Sequence, residues 1–176
     1  MSLDLILALL QMSGHQKELA AQARLFSQDD PVRSLFVILR GAVNLERSSA
    51  QGAGLTLQRA RPVTVVSEAS LYSGTYHCSA VCIEPSAVWG IAKADVLKRI
   101  GQDVDFADAL ISHLAHEIQR TRQQAEIVSL KTISARLDAW LEWRGGRMPP
   151  KGEWKTLASQ ISVSPEALYR EIAKRK

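Results

Sequence analysis

The sequence predicts an α+β fold: a small β-sandwich or roll in the N-terminal half, then a long helix, then two short helices around a tight turn. Three observations lead there. Between about Glu18 and Trp89, short apolar runs alternate with turn residues in the manner of strands. From Val104 onward the apolar period lengthens to that of a helix and holds for several turns. Past a Gly/Pro-rich break at 145–152, "WKTLASQISVSPEALYREIAKRK" carries apolar pairs at i, i+4 on either side of a short polar turn.

The elements follow in order. Residues 3–12 form a helix covering the strands. In "SLFVILRGAVNLER" two apolar runs are split by Gly41, and "LTLQRARPVTVV" and "YHCSAVCIEPSAVWGI" repeat the pattern. "QGAG" at 51–54 reads as a hairpin turn, because its glycines reach positive φ at little cost. With 46% hydrophobic residues in 176, the chain has enough apolar side chains for a buried core. No apolar run is long enough to span a bilayer, and "LDLILALL" lacks the basic flank and cleavage site of a signal peptide. A cytoplasmic protein without a membrane partner is expected. Cys78 and Cys82 have no partners at zinc-finger spacing and are too few for a four-thiolate iron–sulfur site, so reduced, structural thiols are expected.

Ala107, Leu110, Leu114, Ile118, Thr121, Ala125 and Val128 follow one another in steps of three and four, the spacing of a heptad seam. Such a stripe, with Ile111 beside it, packs against a second copy of itself. Leu110, Leu114, Ile118, Thr121, Ala125 and Val128 are the predicted dimer contacts, the alternative being that the stripe covers its own β-domain. A second helix, "ISARLDAWLEWR", follows Lys131 and Thr132. The expected organisation is a β domain over 1–103, a dimerisation helix and hinge over 104–131, and a helix-turn-helix over 132–176.

In that last element Leu157 and Ile161 share a face, Ala158 is small where another helix crosses, Ser164 is an N-cap and Pro165 takes the first helical position. Leu168 and Ile172 give the second helix its apolar side, leaving Glu166, Tyr169, Arg170 and Arg175 outward. A polar helix of this kind fits the major groove, where base edges differ in donors and acceptors. Arg170 suits bidentate donation to guanine and Glu166 suits a cytosine amine, while Lys155, Lys174, Arg175 and Lys176 suit phosphates. Charge supports this: residues 147–176 hold seven basic and three acidic side chains, so the net +4 of the chain sits there and the remainder balances at fifteen of each. The opposing reading is a solvated basic tail.

This order of parts resembles the CRP/FNR superfamily of bacterial transcription regulators over nearly the whole chain. "LFSQDDPVRSLFVILRGAVNL" (24–44) is similar to the family's first β-roll motif, and "SEASLY" (67–72) followed by "CSA" (78–80) is similar to its phosphate-binding cassette. The resemblance implies a double-stranded β-helix (jelly-roll) sensor domain with covering helices, a homodimer and a palindromic operator. It places Ser164, Glu166 and Arg170 at DNA-contacting positions. It places Glu68, Ser70, Cys78, Ser79, Thr121 and Arg122 around an effector pocket.

Three departures bear on function. Cys78 stands where the family's arginine neutralises a cyclic phosphate, and Ser67 and Ser70 replace glycines around Glu68. A buried phosphate without a cation is poorly compensated, so cyclic AMP is not expected as the effector. His77 lies beside Cys78, in the region where haem-sensing relatives keep iron ligands, but buried satisfied side chains rather than haem or metal are expected. The chain stops at Lys176 without the family's β-hairpin wing, and Ser162 stands where glycine is usual in the turn. The expectation is a homodimeric DNA-binding regulator in which binding at the β-roll shifts packing along 107–128 and a hinge near Leu130–Thr132 re-aims the terminal domains. The alternative is a sensory or protein-interaction module of the same fold that has lost DNA binding. No nucleophile with a partnered base and no paired carboxylates point to an enzyme.

Overall fold

The computed structural model describes residues 3–48 and 54–175. Helix α1 (Leu3–Leu10) precedes eight strands: β1 (Gly14–Leu19), β2 (Arg24–Phe26), β3 (Ser34–Arg40), β4 (Val43–Ser48), β5 (Gly54–Ala60), β6 (Val65–Val66), β7 (Ser79–Cys82) and β8 (Ser86–Ala92). They form two four-stranded sheets, ordered β1-β8-β3-β6 and β2-β7-β4-β5, with every registered pair antiparallel. This is the β-roll of an α+β protein. The hairpin turn expected at 51–54 falls almost wholly outside the described residues, although β4 and β5 do pair as a hairpin from Val43↔Ala60 to Ser48↔Gly54.

The alternation in the sequence is the reason for the sheets. Along β7, Ala80 and Cys82 are buried while Ser79 and Val81 are half-buried. Side chains such as Leu25, Phe26, Phe36, Ile38, Val43, Leu45, Cys78 and Val88 make one core, in which Phe26 stacks on Tyr76 at 4.0 Å between ring centroids. The Tyr76 hydroxyl donates to Ser34 O at 3.0 Å, so its polar end is not left unpaired in the core. Gly41, between β3 and β4, has φ +84°, and a Cβ there would lie 2.6 Å from Pro85 O; the position requires glycine.

Helix α2 (Lys93–Gln102) follows β8, and α3 (Val104–Ser129) starts directly after Asp103. Asp103 Oδ1 accepts from Phe106 N at 3.0 Å and Oδ2 from Arg99 Nε at 3.2 Å. The Phe106 amide above all holds this carboxyl below its ordinary range. The chain divides into two compact units, residues 1–113 and 114–176, with the boundary inside α3.

The second unit is helical: the end of α3, then α4 (Ile133–Trp143), a 3₁₀ turn (Lys151–Glu153), α5 (Trp154–Gln160) and α6 (Pro165–Lys174). Thr132 Oγ1 caps α4 by accepting from Ala135 N at 3.1 Å, and Gly145 and Gly146, both at positive φ, close its far end. The core of this unit joins Ile127 of α3 to Leu137, Trp140, Leu157, Ala158, Ile161, Leu168 and Ile172. No helix of the described residues is long and apolar enough to cross a membrane.

Candidate functional site

Helix α5 ends in a Schellman motif. Ser162 N donates to Ser159 O at 3.2 Å and Val163 N to Ala158 O at 2.9 Å, with Ser162 in the left-handed region at φ +52°. Ser164 then caps α6, its Oγ accepting from Ala167 N at 3.2 Å, with Pro165 at the first helical position. Ala158 is fully buried at the crossing of the two helices. The unit's core holds Leu168 and Ile172, so α6 presents its other side to solvent.

That side carries the predicted DNA-contacting residues. Glu166, Arg170 and Lys174 are all exposed and recur at i, i+4, i+8, making one polar stripe along α6; Lys155 on α5 and Ser164 are exposed as well. Arg170 and Lys174 line a shallow depression of about 200 Å³ with Ile133, Ala167 and Glu171. Hydrogen bonds from the Glu166 backbone N–H and the Ser164 hydroxyl, reinforced by the charges of Arg170 and Lys155, hold the Glu166 carboxyl below its ordinary range. It is therefore an anion, able only to accept. Tyr169 is 36% exposed and its ring leans on Trp154 at 5.5 Å, so it is partly committed to packing.

Arg175 departs from its expected place. Nε donates to Glu171 Oε1 at 3.2 Å, Nη1 to Asp138 Oδ1 at 2.5 Å, and Nη2 to Ser134 O and Oγ at 3.0 and 2.7 Å. Four of the five donors of an arginine are thus taken up within the unit. These bonds tie the end of α6 to α4. Lys176, the remaining expected phosphate contact, lies outside the described residues.

Arg136 and Gln160 were not anticipated from the sequence. Arg136, in the first turn of α4, donates to Leu130 O, Ile161 O and Ser162 O at 2.8, 3.2 and 3.1 Å. Gln160 Oε1 accepts from Trp140 Nε1 at 2.9 Å. Both join residues at least 20 positions apart, save for the Arg136 bond to Leu130, and leave no local signal.

In the β-roll unit, Glu68 opens a 3₁₀ turn (Glu68–Ser70) that Ser67 enters at φ +74°, its Oγ donating to Ser34 O at 3.0 Å. Ser70 is buried, and its Oγ meets His77 Nδ1 at 2.8 Å and accepts from His77 N at 3.3 Å. Cys78 is 2% exposed within the core; burial raises its pKa, the Glu68 charge adds to that and Arg47 opposes it. The β4–β7 register runs from Val43↔Cys82 to Glu46↔Ser79. Ser79 Oγ accepts from Gln28 N at 2.9 Å. Cys82 is fully buried and its thiol is likewise raised, chiefly by burial. Among the described residues no three His, Cys, Asp or Glu side chains gather as a metal site. Thr121 and Arg122 belong to the helical unit, both exposed on α3, with Thr121 Oγ1 donating to Glu117 O at 2.8 Å.

The predicted dimer contacts are not alike. Leu110 is 4% exposed, in accord with the alternative in which the stripe covers its own domain. Leu114 and Val128 are half-buried, and Ile118 (52%), Thr121 and Ala125 are exposed. Ile111 beside them is 62% exposed.

The cyclic nucleotide-binding domain family matches residues 16–103, half of the chain. No curated protein matches it. Among solved structures, FixK2 from Bradyrhizobium japonicum is 18% identical, with a TM-score of 0.72 over 93% of this chain and 84% of that one. The c-di-GMP responsive global regulator CLP of Xanthomonas campestris is 15% identical, with a TM-score of 0.68 over 96% of this chain and 89% of its own. The catabolite activator protein of Thermus thermophilus is 21% identical, with a TM-score of 0.57 over 97% of this chain and 80% of its own. The chain thus belongs to the cyclic nucleotide-binding domain family, and its fold is that of the CRP/FNR regulators.

Proposed function

We propose that the protein is a homodimeric, sequence-specific DNA-binding transcription regulator. The observation that carries this reading is the stripe of Glu166, Arg170 and Lys174 along α6, exposed on a helix whose opposite side anchors it in a packed core. A rigid helix with an outward fork of donors and a fixed anion has what base-edge readout requires. The similarity to structures described as regulators points the same way. Two copies are needed because one short helix reads too few base pairs for a unique site. The exposed Ile118, Thr121 and Ala125 on α3 supply a surface for the second copy.

The β-roll is read as a sensor for a ligand other than cyclic AMP, or for none. The buried Cys78 thiol, raised by burial and by Glu68, offers no positive charge to a cyclic phosphate. Isothermal titration with cyclic AMP is expected to show no saturable binding in the micromolar range; a micromolar isotherm would refute this part of the reading. Selection of duplexes from a randomised library tests DNA reading itself, and enrichment of a single motif supports it. Binding that depends on salt but enriches nothing would leave only a cationic surface.

A further inference from the structure

The side chain of Arg136 joins α4 to two other segments through three hydrogen bonds. Its Nε meets the carbonyl of Leu130, just past the end of α3, and its Nη1 meets the carbonyls of Ile161 and Ser162 at the turn that aims α6. Those last two carbonyls follow the end of α5, where helix geometry leaves acceptors without partners. One planar cation therefore closes the exit of α3 and the turn of the reading element together. A second tie runs alongside: Ile127, 3% exposed, sits in the same core as Leu137, Ile161 and Leu168. Only Lys131 and Thr132 lie between the Leu130 carbonyl and α4, and Thr132 is itself engaged as the cap of α4.

A bend at Leu130–Thr132 would have to pull Ile127 out of this core and break the bond from Arg136 Nε to the Leu130 carbonyl, leaving the bonds to Ile161 and Ser162 as they are. We infer that the reading element and the last turn of α3 form one body, that Arg136 is the residue positioning them, and that any change of aim pivots in α3 on the N-terminal side of Ile127. The inference rests on the DNA-reading proposal for its consequence, but the rigidity itself does not depend on DNA.

Spin labels at two exposed positions, Ser129→Cys at the end of α3 and Ala173→Cys on α6, measure this directly, since both lie within the proposed body and the native thiols Cys78 and Cys82 are buried. Labelled chains are diluted with unlabelled ones so that pulsed electron resonance reads distances within one chain. One narrow distance distribution is expected, unchanged on adding either the selected motif or a duplex of random sequence. Arg136→Gln, and Arg136→Lys, which keeps the charge but not the fork, should broaden it. Both should weaken binding to the selected motif about tenfold while binding to random sequence stays within about twofold. Two distances in the unsubstituted protein, a shift on adding DNA, or an unchanged distribution in both Arg136 variants would overturn the inference. If no motif is selected, DNA reading fails, and the distances in the free protein still decide where the joint lies.

Discussion

Ser162 occupies the left-handed position that closes α5, where a side chain costs about 1 kcal/mol or more and glycine costs nothing in strain. Against this, glycine loses more backbone entropy on folding, so Ser162→Gly should stabilise the helical unit by roughly 0.5 kcal/mol, read as a higher thermal midpoint. A lower midpoint would mean that the serine side chain contributes something the turn geometry does not reveal. On α6, the two cations should separate by role. Arg170→Ala should cost about 1–3 kcal/mol at one base pair and relax preference there. Lys174→Ala should weaken all duplexes alike and lower the salt slope by about one. Equal loss on every sequence from both variants would remove Arg170 from base readout. Single residues were legible where their reason is local: Ser164, Pro165 and Ala158 sit as their neighbours in the sequence dictate. Arg175 was not, because Asp138 and Ser134 reach it from 37 and 41 positions away, a placement that only the packing of α6 on α4 creates.

Helix α3 shows how far periodicity carries. The steps of three and four identified the helix and its apolar stripe, but a stripe does not state what covers it. Leu110 is buried in the single chain, and Ile118 is more than half exposed. The free part of the seam therefore lies at Ile118 and beyond, through Thr121 and Ala125. Ile118→Asp places a charge in the middle of that part and should convert the proposed dimer to monomer in light scattering without lowering the thermal stability of the separate units, because the site is exposed in the chain alone. A dimer that survives the substitution would put the interface elsewhere. The strands were legible for the opposite reason: their alternation is resolved within the sandwich they form, so β7 buries Ala80 and Cys82 as the pattern requires. The helix-turn-helix was legible as a motif, while its attachment through Ile127 and Arg136 was not, since one apolar residue near the end of a long helix and one arginine in the first turn of the next carry no distinguishing pattern.

The molecule as a whole combines a β-roll whose core includes Cys78 with a helical unit whose charged stripe faces outward. The core packing and the absence of a cation at position 78 argue against a cyclic phosphate as the signal. Helix α6 has its N-cap, a buried face and exposed donors. The account stands on the claim that two such chains read DNA together, and the most direct test is selection from a randomised duplex library at low and high salt, with light scattering of the protein in parallel. The prediction is a two-fold symmetric motif, with half-sites about one helical turn apart, enriched at both salt concentrations by a dimer. A monomer, or binding that vanishes with salt and enriches no motif, would contradict it.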